Sequence, residues 1–89
     1  MFKEWLKRKM TIEECERENL VEDERLGPTP VPFGFQHQAW LNLKHQIKMG
    51  DELWEFSSPS ESWELLCGRA GICIVRDGEI FDSIVTVMN

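Results

Sequence analysis

The sequence predicts an α+β fold: a small three-stranded mixed or antiparallel sheet with a C-terminal hairpin, packed against a core helix, with further helices at the N-terminus. Three observations predict it. Apolar residues recur at helical spacing over residues 35–48, residues 52–57 alternate with the period of a strand, and two strand-like runs near the C-terminus meet at Asp77-Gly78, a type I′ hairpin signal. The chain has 89 residues, of which 42% are hydrophobic and 29% charged, so one folded domain with a small core is expected over 1–89. Its parts are a helical segment (1–26), a proline-rich connector (27–34) and an α+β core (35–89).

Along the chain, Phe2, Trp5 and Leu6 form a short apolar stripe among Lys3, Lys7, Arg8 and Lys9, the pattern of an amphipathic helix. About ten residues are too few for a stable isolated helix, so this one is expected to dock on the rest of the chain. Thr11 and Glu14 have capping-box spacing and predict a second helix over about 12–26, with a thin stripe of Ile12, Cys15, Asn19 and Leu26. Seven acidic residues between 13 and 24 cover the remainder, against Arg17 and Arg25. Such a run is either a solvated face or a contact surface for a basic partner, with Glu13, Glu16 and Glu24 as the candidate contacts. Gly27 suits the residue after a helix, and Pro28, Pro30 and Pro32 enforce an extended path without the PxxP spacing of an SH3 ligand.

The core helix over 35–48 places Phe35, Ala39, Trp40, Leu43 and Ile47 on one broad face, with His37 and His45 near the other. Eight residues separate the histidines, roughly 12 Å along a helix axis, so a single metal ion cannot join them and no metal site is expected. In the strand 52–57, Trp54 and Phe56 share a face. Ser58, Pro59 and Glu61 then have the positions of N-cap, N1 and N3 in a capping box, followed by a short helix with Trp63, Leu66 and Cys67 on one side and Gly68 past its end. In the hairpin, Arg76 should face Glu79, Val75 face Ile80, Ile74 face Phe81 and Cys73 face Asp82. Both faces of that hairpin are apolar, which calls for helices on one side and either the N-terminal segment or a second subunit, as a homodimer, on the other. A parallel crossover between the first two strands would put the last strand between them.

Function is read mostly by exclusion. No run approaches the roughly 18 apolar residues of a membrane span, and no apolar stretch follows the basic N-terminus as in a secretory signal. Cys15, Cys67 and Cys73 do not form a disulfide framework, which favours a cytoplasmic setting. A net charge of −6 disfavours nucleic acid. There is no CxxC, glycine-rich phosphate loop, GxSxG or HExxH, and each cysteine lies where a thiolate is disfavoured, so neither cofactor nor catalytic residue is expected.

The leading expectation is a small acidic protein that acts by binding another protein, as a regulator or inhibitor. The alternative is a ligand-binding domain or enzyme with a pocket near Trp54, Trp63 and Arg69, where Gly68 and Gly71 would allow an anion close to the backbone. Residues 50–89, GDELWEFSSPSESWELLCGRAGICIVRDGEIFDSIVTVMN, resemble small uncharacterised bacterial proteins. The resemblance implies a bacterial, standalone protein and carries over neither an activity nor any site residue.

Overall fold

The computed structural model describes residues 3–89. After a 3-10 turn at Lys3–Trp5, strand β1 spans Leu6–Met10, helix α1 Ile12–Glu18, and two short strands, β2 and β3, Leu20–Val21 and Val31–Pro32. Helix α2 spans His37–Lys44, strand β4 Glu52–Ser57, helix α3 Ser60–Glu64, strand β5 Arg69–Arg76 and strand β6 Glu79–Met88. The main sheet has the order β1-β4-β5-β6, antiparallel throughout, and β2 pairs with β3 separately. The α+β class holds. The sheet has four strands rather than three, β5 is central where β6 was expected, and no parallel crossover is made.

The fourth strand comes from the basic segment expected to be a helix. Phe2, a member of the expected stripe, lies outside the described residues. In β1, Arg8 lies opposite Glu55 and Lys9 opposite Trp54, so Arg8 reaches Glu55 at 3.0 Å and Lys9 reaches Glu52 at 3.1 Å. A strand there pairs the backbone with β4 and sets the charges of Arg8 and Lys9 against a distant acidic strand, whereas an isolated ten-residue helix has no such partner.

Helix α1 begins at the expected capping box: Glu14 N–H donates to Thr11 Oγ1 and Thr11 N–H to Glu14 Oε1, both at 3.1 Å. It ends at Glu18, eight residues short of the expected limit. Asn19 stops it, because its side-chain amide donates to the Cys15 carbonyl at 2.7 Å while its own carbonyl accepts from Phe33 N–H at 2.7 Å. Leu20–Val21 then pair with Val31–Pro32.

The connector contributes to the core. Phe33 is buried with φ 63°, and its ring centroid lies 5.1 Å from that of Trp40. A left-handed phenylalanine is strained, and burial against the largest core side chain offsets the cost. Gly34 follows with φ 56° and Val21 against its α-carbon, so a side chain there would be both strained and crowded. Helix α2 therefore starts at His37 and not at Phe35, and Phe35 is exposed, with the Arg25 guanidinium 5.1 Å over its ring.

The described residues form a slab of 38 × 36 × 17 Å. On one face of the sheet, Met10, Leu53, Ile72 and Ile74 pack with Cys15 of α1, Phe33, and Trp40 and Leu43 of α2. On the other, Phe56, Cys73 and Val75 are buried beneath Trp5, Leu6, Trp54, Ile80 and Val85. The alternation along β5 divides these clusters, because successive side chains point to opposite faces.

Asp77 and Gly78 have φ 52° and 79°, the left-handed pair that a type I′ turn requires. Arg76 faces Glu79 and Val75 faces Ile80 as expected, after which the register shifts and Ile74 faces Asp82 rather than Phe81. The bulged Phe81 ring lies 3.8 Å from the Arg76 guanidinium. Arg76 also donates to both Asp51 carboxylate oxygens, at 2.9 and 2.8 Å, and to the Gln46 carbonyl at 2.8 Å.

This clamp makes stability depend on pH. The Arg76 guanidinium and the Lys48 N–H hold the Asp51 carboxyl at about 2, below its usual 3.8. A carboxyl depressed in the folded state stabilises it above the unfolded pKa and loses that contribution as pH falls through the folded value. The urea midpoint of the wild type is therefore expected to fall between pH 5 and pH 2.5 more steeply than that of Asp51→Asn. Parallel slopes would remove the clamp from the acid transition.

Candidate functional site

Trp54, Trp63 and Arg69 do not converge. Trp54 lies opposite Cys73 on the face away from the helices, and its indole N–H donates to Glu52 at 3.0 Å. Arg69 opens β5 opposite Met88, four residues or roughly 13 Å along the strand from Cys73. Trp63 packs its ring on Gly68, where a Cβ would overlap the indole, and donates to the Ser58 carbonyl at 3.1 Å. A Cβ at Gly71 would overlap the Ile84 carbonyl oxygen. The two glycines thus admit other parts of the same chain.

The serine run is a laced joint between β4 and β5. Ser58 is buried and is not the cap of α3, whose N-cap residue is Pro59 without a side-chain bond. The Ser58 hydroxyl instead accepts from Arg69 N–H at 2.9 Å, and Ser62 Oγ lies 2.6 Å from it. At the other end, Asn89 accepts from Gly68 N–H at 2.7 Å and donates to the Trp63 carbonyl at 2.6 Å.

Helix α3 ends in a full Schellman pattern, in which Cys67 N–H donates to the Ser62 carbonyl at 2.8 Å and Leu66 N–H to the Trp63 carbonyl at 3.2 Å. The left-handed residue of that motif is Leu66, with φ 60°, not the expected Gly68. Leucine in place of glycine there costs about 1 kcal/mol. Leu65 and Leu66 are each 76% exposed and Cys67 is exposed, so the expected Trp63, Leu66 and Cys67 stripe does not face the core. The sequence signal for this was two leucines directly before a cysteine and a glycine, after a helix too short to need them.

The three candidate acids also separate. Glu13 is exposed on α1. Glu16 turns inward, where one carboxylate oxygen accepts from the Trp40 indole at 2.8 Å and pairs with Lys44 at 2.9 Å; these contacts lower its pKa. Glu24 begins a 3-10 turn beside Glu22 and Asp23, and these three line an open depression of about 500 Å³ with Gly27, Pro28, Thr29 and Pro30. Asp23 is held by Arg25 at 2.7 Å. Arg8 bridges Glu18 and Glu55, and Lys9 pairs with Glu52, so these two basic residues are matched within the fold.

Burial pushes the thiol of Cys15 up to about 12, with nearby Glu16 and Glu18 adding to the shift, and that of Cys73 up to about 11. Burial of both side chains disfavours the thiolate form. His37 Nδ1 lies 2.9 Å from the Pro32 carbonyl, and no group of three or more His, Cys, Asp or Glu side chains placed to hold a metal ion occurs among the described residues. No helix among them is long and apolar enough to cross a membrane. Comparison with protein-family models, with curated proteins and with solved structures finds no match for this chain.

Proposed function

We propose that this protein acts by binding another protein through its acidic surface, as a regulator or inhibitor in a bacterial cytoplasm. The observation that supports this reading is the distribution of charge. Arg8 and Lys9 are matched by Glu18, Glu55 and Glu52, while Glu13, Glu22 and Glu24 are exposed on α1 and the loop after β2. An acidic surface of this kind suits a basic patch, where charge complementarity governs encounter more than residence. The partner residues are Glu13 and Glu24, with Glu22 beside the latter. Glu16 serves the core, where it holds Trp40.

The test is a binding titration against the partner recovered from the native host, comparing wild type with Glu13→Lys/Glu24→Lys at low and high salt. Glu16 stays unchanged, because reversing it would leave the Trp40 indole N–H without its acceptor. The double variant is expected to associate roughly 3- to 10-fold more slowly at low salt, with little difference at high salt and an unchanged circular dichroism spectrum. Equal association rates at both salts would reduce these acids to a solubility feature.

A further inference from the structure

We infer that strand β1 is a strap fastened by charge, which lifts from the outer edge of β4 as a unit while the rest of the sheet stays folded. β1 is an edge strand of five residues paired on one side only, whereas β5 is paired on both sides and is buried continuously over 71–75. The β1–β4 register also breaks between Leu6 and Arg8, so the ladder is interrupted near the start of the strand.

The hold on β1 is light, and much of it is charge. Lys7, Arg8 and Lys9 are exposed along its middle, and only Met10, at its end, is buried. Arg8 bridges Glu18 and Glu55 and Lys9 reaches Glu52, with each of these five side chains at least 39% exposed. Pairs so exposed are individually weak and are screened by salt. Trp5 and Leu6, both half-buried, add a partial apolar contact against Phe56, Cys73 and Val75.

The hinge lies where the strand meets the core. Met10 belongs to the helix-side cluster with Cys15 and Leu53, and the Thr11–Glu14 capping box fixes the start of α1 directly after it. Lifting therefore ends at Lys9 and leaves the core around Trp40 intact. It takes Arg8 and Lys9 away from Glu18, Glu52 and Glu55, so the open form carries three carboxylates without their cations. A basic partner then meets more negative charge, a consequence that rests on the acidic-surface reading; the opening itself does not.

The test is residue-resolved hydrogen exchange on the full chain by NMR, at about 20 and about 500 mM NaCl, on wild type and Glu18→Gln/Glu55→Gln. Amides of β4 face β1 and β5 alternately, so one strand reports two separate events. In the wild type, the β1 amides bonded to β4 and the β4 amides bonded to β1 are expected to share one protection factor, about 100-fold or more below that of β5. High salt is expected to lower that shared value about 3- to 10-fold and to leave β5 unchanged. The double variant is expected to begin at the lower value in low salt and to lose most of the salt dependence, while unchanged protection of β5 shows that it is folded. Protection of β1 equal to that of β5 overturns the inference, because the strand then opens only with the whole fold. A β1 protection that neither salt nor the double variant moves, or a salt effect shared equally by β5, overturns it as well, since charge then does not fasten the strand.

Discussion

Trp40→Ala is expected to remove about 3–5 kcal/mol of stability, enough to leave much of the population unfolded at 37 °C. Trp40 is fully buried and is the largest such side chain, touching both layers of the structure. Its ring packs on Phe33 from the proline-rich segment and among Met10, Leu53, Ile72 and Ile74 from the sheet. Large-to-small changes of this kind lose the transfer free energy of the removed atoms and leave a cavity, and for Phe or Trp the two together reach about 3–5 kcal/mol. A chain of this length has about 4–13 kcal/mol in total at the usual value per residue. Trp40→Phe separates the contributions, since it keeps most of the volume and loses the 2.8 Å bond to Glu16, a change expected to cost about 1–2 kcal/mol. Urea denaturation followed by circular dichroism measures both variants. A loss below about 1 kcal/mol in Trp40→Ala would falsify the placement of this residue at the centre of the core.

Features that depend on neighbours in sequence were legible before the structure. Thr11 and Glu14 cap a helix, Asp77-Gly78 turns a hairpin, and Trp40 and Leu43 lie in a helix and face the core. Each follows from a spacing of a few residues, where local geometry decides. The strand β1 was not legible, because Trp5 and Leu6 fit a helical stripe as well as a strand, and the deciding partners, Glu52 and Glu55, lie more than 40 residues away. The early end of α1 depended on Asn19 meeting Phe33, another distant contact.

Site residues divide along the same line. The acidic run was visible as charge, but whether an acid faces a partner or the core depends on tertiary contacts, and Glu16 finds Trp40 and Lys44 from a helix some two dozen residues later. Ser58 has the spacing of a helix cap, with Pro59 and Glu61 following it. The start of β5 competes for the same hydroxyl, and the Arg69 N–H takes it. Periodicity puts Leu66 on the core side of α3 only if the helix continues. It stops two residues earlier, at Glu64, and the left-handed turn carries Leu66 into solvent.

Gly71→Ala is expected to be as damaging as the loss of Trp40, though it adds a single methyl group. Gly71 is buried on the central strand, opposite Phe56 of β4 and Val85 of β6, at the point where the β5–β6 register shifts. A Cβ there overlaps the Ile84 carbonyl oxygen and lies 3.0 Å from Val85 Cα. Both are backbone atoms, so no rotamer change relieves the overlap. With β4 paired on its other side, β5 cannot retreat either. The strands must separate, breaking ladder hydrogen bonds toward the C-terminal end of β6, and a cost of about 3 kcal/mol or more follows, above the usual range for one added carbon in a packed core. Two other glycines calibrate the result. At Gly68 the overlap is with the Trp63 ring, a side chain at the margin of the fold that can turn aside, so Gly68→Ala should cost about 1–2 kcal/mol. At Gly78 nothing lies within 4 Å, and only the φ of 79° resists alanine, for about 1 kcal/mol. Denaturation midpoints for the three variants should therefore fall in the order Gly78, Gly68, Gly71, with Gly71→Ala lowest. If Gly71→Ala is no worse than Gly78→Ala, β6 does not approach β5 this closely, and the register shift beside Gly71 is not a fixed part of the sheet.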